Sequence, residues 1–144
     1  MNSGLPSREQ SIELLNKNNC SPQLISHCIA VADLALKTAN KLQRKGLRIN
    51  IELVEAGALL HDIGRSKNQT IDHALVGAQI AQSIGLPETL VRIIKRHIGA
   101  GITEEEAKLL GWPKDVYLPC TLEEKIVSYA DKLISKSKLI PTLP

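Results

Sequence analysis

Phenylalanine is absent from this chain of 144 residues, and a single Trp with two Tyr leaves aromatics at 2%. A core must therefore be assembled from Leu, Ile, Val and Ala, packed at helical spacing. No stretch sustains the apolar–polar alternation of a half-buried strand, which excludes a sandwich or a barrel. Apolar runs fall short of the ~20 residues that cross a bilayer, and the N-terminus carries no secretory pattern. The three cysteines, Cys20, Cys28 and Cys120, are odd in number and fit neither a zinc ribbon nor a disulfide framework. These absences predict an all-α protein of the reducing cytoplasm with no membrane partner. Charge is nearly balanced, at 18 basic against 15 acidic residues, with a pI near 8.8. Without a long basic run, that balance suits a small anionic substrate and makes nucleic acid a poor partner.

What is present is helix punctuation. The length fits one domain, 1–144 with its core over 21–138, able to bury about 70% of the surface its unfolded form exposes. Ser7 with Gln10, Thr103 with Glu106 and Thr121 with Glu124 have capping-box spacing, and Ser21-Pro22 reads as an N-cap followed by proline at the first helical position. The pattern predicts six to seven helices, near 7–17, 21–45, 50–62, 70–84, 87–98, 103–110 and 121–138. Gly46, Gly64, Gly85, Gly99 and Gly111 fall where a left-handed residue would stop each helix. The stretch from Gly111 to Cys120 holds Trp112 and Tyr117 and reads as a surface loop packed by its own side chains.

Against that apolar background, a few polar groups are conspicuous. His61-Asp62 closes the run from Glu52 to Leu60 and is followed by Ile63-Gly64-Arg65. The other histidines, His27, His73 and His97, also fall on apolar helix faces: His27 shares its face with Leu24, Val31 and Leu34, and His97 with Leu90, Ile93 and Ile94. Asp131 sits among Val127, Ala130 and Ile134. Any one of these could be a hydrogen-bonded core residue, or, for Asp131, the partner of Lys125 or Lys132. Five helices that each turn an imidazole or carboxylate inward are explained together by a shared cation, because a lone polar group is costly to bury. Mixed imidazole and carboxylate donors suit Fe, Mn, Co, Ni or Zn, and the lack of a Cys cluster disfavours a closed structural zinc site. His27, His61, Asp62 and Asp131 would take one divalent transition metal ion. His73 and His97 could hold a second, bridged through Asp62.

The order His27, His61-Asp62, Asp131 resembles the metal motif of the HD-domain superfamily of metal-dependent phosphohydrolases, over roughly Ser21 to Ser135. That resemblance implies an all-α core of about five helices. Ile71-Asp72-His73 with the following Ala-Leu-Val-Gly-Ala, Ile93-Ile94-Lys95-Arg96-His97 and Tyr129-Ala130-Asp131 are most similar to the branch containing symmetrical diadenosine tetraphosphate hydrolases, where two extra histidines complete a dinuclear site. The stretch between His97 and Asp131 is longer than in that branch, which implies a reshaped substrate mouth. No Gly-Tyr-Pro follows the motif, unlike the cyclic-dinucleotide phosphodiesterases, and the Glu-Asp pair of alarmone hydrolases is missing.

The function expected from these residues is hydrolysis of a nucleotide or other small phosphate ester by metal-activated water. Asp62 and Arg65 are the candidate catalytic residues. Arg65 and Lys67, just past the motif, are the candidate phosphate contacts, since both are cationic and Arg offers a forked donor set. Arg92, Lys95 and Arg96 could widen the anionic attraction, Glu104 to Glu106 suit a helix N-terminus, and Cys28 suits the core. Two other classes compete: a non-catalytic binding or regulatory module stabilised by its metal, and, less favoured, a di-iron oxygenase.

Overall fold

Side-chain caps set where five of the helices begin. The computed structural model describes residues 4–139, with side chains to residue 135, and contains seven α-helices. Helix α1 (Arg8–Lys17) starts from the reciprocal Ser7–Gln10 box, and α2 (Pro22–Arg44) from Ser21, whose Oγ accepts from the Leu24 N–H at 3.1 Å. Asn50 caps α3 (Ile51–Leu60) in the same way. Then come α4 (His73–Ser83), α5 (Glu88–Lys95), α6 (Glu104–Leu110) behind the Thr103–Glu106 box, and α7 (Leu122–Leu139) behind Thr121. No described helix is long and apolar enough to cross a membrane.

Helix α3 is the axis of the fold. Leu53, Val54, Ala56, Gly57, Ala58, Leu59 and Leu60 are all buried, because α1, α2, α5 and α7 pack around it. A helix apolar on every side belongs in a core. Small residues let its neighbours come close: α2 contributes the fully buried Ala32, Ala35 and Ala39, and a Cβ on Gly57 would lie 2.7 Å from Ile93 of α5.

Four expectations need correction. Helix α3 ends at Leu60 and gives way to a 3₁₀ turn at Ile63–Ser66. Gly64 lies inside that turn and is no left-handed stop, unlike Gly46, Gly85, Gly99 and Gly111, whose φ values are positive. It is glycine because a methyl there would overlap the His73 carbonyl oxygen and approach the Gly77 nitrogen to 2.6 Å. This contact presses the residues after Asp62 onto the first turns of α4. Finally, α4 starts at His73 rather than near 70, and α5 stops at Lys95, so His97 lies beyond its helix.

The excursion between α5 and α7 has a small core of its own, formed by Ile102, Ala107, Trp112 and Tyr117 against Leu75 and Ile98. The Trp112 and Tyr117 rings meet edge-on at 4.9 Å, the Tyr117 hydroxyl donates to the Pro113 carbonyl, and Trp112 Nε1 donates to Asp72 at 2.6 Å. One antiparallel bridge, Ile102 to Tyr117, pins the loop. Arg96 ties the excursion to α7: its Nη1 donates to Glu124 Oε1 at 3.0 Å and its Nε to the Val116 carbonyl at 3.1 Å. Glu124 also accepts from the Cys120 N–H at 2.8 Å. Burial alone would push the Glu124 carboxyl up, but that N–H and the Arg96 guanidinium override it and hold the group below its ordinary value of 4.5.

Gly64→Ala should cost about 3 kcal/mol or more in chemical denaturation, since backbone on both sides must move to admit the methyl. Glu124→Gln should cost roughly 1–3 kcal/mol at pH 7. A carboxylate whose folded pKa is depressed stabilises above its unfolded value and loses that contribution as pH falls. The Tm difference between wild type and Glu124→Gln should therefore be largest above about pH 5 and shrink toward pH 3.

Candidate metal centre

Helix ends and two helix interiors deliver the six polar residues to one place. His61 is the C-cap of α3 and fully buried, and Asp62, 4% exposed in its side chain, follows it before the 3₁₀ turn. His73 opens α4, and His97 lies two residues past α5. His27, in the second turn of α2, and Asp131 of α7 reach in from opposite flanks, each partly buried.

Asp62 is the hub. Its Oδ2 lies 3.3 Å from both His27 Nε2 and His61 Nε2, and its Oδ1 lies 3.2 Å from both His73 Nε2 and His97 Nε2. Asp131 Oδ1 completes the first group, at 3.0 Å from His27 Nε2 and 3.2 Å from His61 Nε2. Two donor sets result, His27–His61–Asp62–Asp131 and Asp62–His73–His97, joined by one carboxylate. Asp131 thus faces imidazoles, not the neighbouring lysines considered from sequence.

Each of three histidines also carries a backbone contact that orients it. His61 Nδ1 lies 2.6 Å from the Ala58 carbonyl, His73 Nδ1 2.8 Å from that of Thr70, and His97 Nδ1 2.7 Å from that of Ile94. In every case the acceptor is three residues earlier in the chain. A carbonyl only accepts, so Nδ1 carries the proton and Nε2 turns a lone pair into the site. This is the arrangement by which a protein presents imidazole to a metal.

The donor set fits a divalent cation on chemical grounds. His73 Nε2 and His97 Nε2 are 3.1 Å apart, so two lone pairs face one another with the Asp62 carboxylate beside them. Asp62 Oδ1 is buried and has no hydrogen bond among the described residues. A proton or a cation must occupy such a position. Spacings of 3.0–3.3 Å between donors match adjacent ligands of an octahedral ion, about 3 Å apart for bonds of ~2.1 Å.

Electrostatics follow from the same packing. Burial alone would push the Asp62 carboxyl up, yet the facing imidazoles of His61, His27 and His73 hold it well below the usual carboxylate range. Asp131 is depressed likewise, its burial overridden by His61 and His27. Burial disfavours a charged His61, but the Asp62 and Asp131 carboxylates raise it well above its ordinary value. Hydrogen bonds to Asp131 and Asp62 raise His27. Cys28, behind this cluster, is fully buried, and burial pushes its thiol up to about 12, so it is no thiolate ligand near neutral pH.

Arg65 stands over the centre. Its Nε lies 3.3 Å from Asp62 Oδ2, about a third of its side chain remains exposed, and it lines the clefts on both sides of the donor cluster. Lys67 is exposed and lines neither of those clefts. Lys95 and Arg96 are taken up by Asp115 and Glu124, and Arg92 lies 3.6 Å from Glu88. Two serines of α7 escaped the sequence reading. Ser128 Oγ donates to the Gly99 carbonyl at 2.8 Å, steadying the backbone after His97, and Ser135 Oγ lies 3.4 Å from Asp131 Oδ1. Their signal was the three- and four-residue helical spacing of Glu124, Ser128, Asp131 and Ser135 along one face of α7.

The family model named HD domain matches residues 24–135. An uncharacterized protein of Methanocaldococcus jannaschii is 49% identical over 132 residues, covering 92% of this chain and 78% of that one. A tRNA (cytidine(56)-2'-O)-methyltransferase of Picrophilus torridus is 43% identical over 136 residues, covering 94% of this chain but 38% of the relative. The chain thus spans little more than a third of that protein. Among solved structures, the HD domain of the Listeria monocytogenes phosphodiesterase PgpH in complex with cyclic-di-AMP superposes with a TM-score of 0.70, over 92% of this chain and 75% of that one. At 22% identity this is a likeness of fold. With the family match running from α2 to α7 and taking in His27, His61-Asp62, His73, His97 and Asp131, the chain belongs to the HD domain family.

Proposed function

We propose that this protein is a metal-dependent phosphohydrolase that cleaves a phosphate bond in a nucleotide or similar small ester. The observation that carries the reading is Asp62, a buried carboxylate with one oxygen before His27 and His61 and the other before His73 and His97. His27, His61, Asp62 and Asp131 would hold one ion of Fe, Mn, Ni, Co or Zn, and His73, His97 and the shared Asp62 a second. Bound divalent ions lower the pKa of a water and neutralise charge on phosphoryl oxygens.

The chain's own residues then have distinct tasks. The three Nδ1 contacts to Ala58, Thr70 and Ile94 hold the imidazoles with Nε2 aimed into the site. Arg65, tied to Asp62 through Nε, keeps guanidinium N–H groups for a non-bridging phosphate oxygen, a charge-assisted contact that strengthens as charge develops. The phosphodiesterase named among the structural neighbours supports this reaction class. A symmetrical dinucleotide polyphosphate is the narrower candidate, from the resemblance of the His73 and His97 segments. The identity to a tRNA methyltransferase favours a second reading, in which the phosphate belongs to RNA or to its breakdown products.

Protein purified without chelator should carry one to two equivalents of transition metal by elemental analysis. His61→Ala or Asp62→Ala should remove most of it, whereas His73→Ala or His97→Ala should lower the stoichiometry toward one. No metal in the wild type, with no rise in Tm on adding manganese, iron or nickel, would refute the centre. Arg65→Ala should retain metal and fold while losing roughly 10- to 1,000-fold in turnover, the range for removal of one transition-state donor, and Arg65→Lys should recover part of it. Equal rates for wild type and Arg65→Ala would remove Arg65 from the chemistry. A metal-replete wild type that turns over no phosphate ester would favour the binding module, and oxygen consumption by its iron form the oxygenase.

A further inference from the structure

We infer that Trp112 is a positioning residue for the second ion: by holding Asp72 it fixes His73 opposite His97, and so sets the affinity of that donor set without acting on the other. The inference rests on the two-ion reading above and gives a task to a residue that belongs to neither donor set. Its first sign is the way α4 begins. Helices α1, α2, α3, α6 and α7 each open on a hydroxyl or amide side chain that accepts from the helix's own first turn. Helix α4 opens on Asp72, a good capping residue by type, whose side chain makes no such bond. Its backbone is already helical, at φ −67° and ψ −8°, where Ser7, Ser21, Asn50 and Thr103 are extended. The carboxylate accepts instead from Trp112 Nε1 at 2.6 Å, a partner 40 residues away. Hydrogen bonds to a carboxylate are stronger than those between neutral groups. Helix α4 thus forgoes its own cap for a bond to the excursion.

That bond steadies the residue next to it. The Thr70 carbonyl accepts from the His73 N–H at 3.0 Å and lies 2.8 Å from His73 Nδ1, so the placement of this turn decides the placement of the ring. Lys67, Gln69, Thr70 and Ile71 are exposed. Apart from the one to Trp112, every hydrogen bond described for residues 67–72 reaches four residues or fewer along the chain. Trp112 therefore supplies the hydrogen bond that ties this segment to a distant element. It is itself well anchored, at 7% exposure, with its N–H on the Ala107 carbonyl and its ring edge-on to Tyr117. The excursion that carries it starts at His97, whose Nε2 is 3.1 Å from that of His73. One element thus has one donor at its root and grips the neighbour of the other. The remaining donors are placed differently: His27 and Asp131 lie within α2 and α7 and His61 ends α3, three helices packed directly on one another. No described hydrogen bond runs from residues 98–121 to His27, His61 or Asp131. Loss of a residue that orients a metal ligand typically lowers metal affinity roughly 10- to 100-fold, and here the loss should fall on one ion of two. Coupling of this kind is reciprocal, so an ion between His73 and His97 must in turn strengthen the bond from Trp112 to Asp72.

The full chain, stripped of metal with a chelator, should be titrated with zinc in a calorimeter. The wild type should show two binding events, and His73→Ala should lose the second and so identify it. Trp112→Phe, which keeps a ring against Tyr117 but lacks the donor, should weaken the second event roughly 10- to 100-fold and leave the first within about threefold. Asp72→Ala should do the same. Asp72→Asn, whose side-chain oxygen still accepts, should stay within about threefold of the wild type at both events. Trp112 is the only tryptophan, so its indole N–H gives one NMR signal, and exchange of that proton with solvent should slow across the second equivalent of zinc and not across the first. Two ions in the wild type with the second event unmoved by Trp112→Phe or Asp72→Ala would overturn the inference, as would equal weakening of both events or an indole that follows the first equivalent. Asp72→Asn as weak as Asp72→Ala would also overturn it, by assigning the effect to charge at residue 72. Should Trp112→Phe fail to fold, the two Asp72 variants and the wild-type indole decide. A wild type that takes up no second ion overturns the two-ion reading and the inference with it, and its stoichiometry alone tells that failure from the others.

Discussion

One buried carboxylate organises this molecule. Asp62 turns each of its oxygens toward two imidazole nitrogens at 3.2–3.3 Å, and its own side chain is almost wholly removed from water. Burying a lone carboxylate in an apolar core costs many times what a folded domain has to spare. The position is tolerable only if imidazoles, or a cation held among them, face it from several directions at once. Elements far apart in sequence supply them: α2 brings His27, the start of α4 brings His73 and the corner after α5 brings His97, while α7 adds the Asp131 carboxylate beside His27 and His61. Displacing any of these elements would uncover part of Asp62, so the packing of the helices and the chemistry of the centre are a single constraint.

The scaffold answers that constraint with small residues and carbonyls. Gly64 and Gly77 let the turn after Asp62 lie against the backbone of α4, and Gly57 lets α5 settle on α3. These close approaches bring the His97 ring against those of His61 and His73 at about 5 Å. The carbonyls of Ala58, Thr70 and Ile94 then fix the rings. A carbonyl in the last turn of a helix has no intrahelical donor of its own. An imidazole that folds back three residues satisfies such a carbonyl and is oriented by it, which explains why His61 and His97 follow the ends of helices and not their middles.

Much of this was legible in the sequence, and the gaps have physical causes. The helix starts were fixed by hydroxyl and amide caps, a strictly local chemistry, so Ser7, Ser21 and Thr103 announced α1, α2 and α6 to within a residue. The inward histidines and aspartates stood out because they interrupt apolar faces. The end of α5 did not, since the run Leu90, Ile93, Ile94 continues in phase to His97 although the helix stops at Lys95. Gly64 looked like a left-handed stop, because the sequence does not record that α4 lies against it. Arg96 resembled a free surface charge for a similar reason: its partner Glu124 is 28 residues away. Lys67 was nominated by proximity in the chain, but one residue past the 3₁₀ turn it is exposed and outside the clefts, while Arg65 turns back to Asp62. Local punctuation survives in a sequence. Close approach and long-range pairing do not.

The excursion between α5 and α7 shows how the centre and its clefts are coupled. Its inner edge carries Ile98 and Gly99 into the wall of one cleft, directly after His97. Its outer part is clamped twice, by Trp112 on Asp72 beside His73 and by Arg96 between Val116 and Glu124 beside His97. The same two histidines form one donor set with Asp62. A change of length or sequence in the excursion therefore alters the cleft wall while two clamps hold the adjacent donors in register. By contrast, the other cleft is walled by α2 and α7, where Leu24 and Ser135 lie on long helices packed against the core. One side of the centre is thus held by two side-chain clamps on a loop and the other by helices packed on the core, and both meet at the carboxylate on which the fold depends.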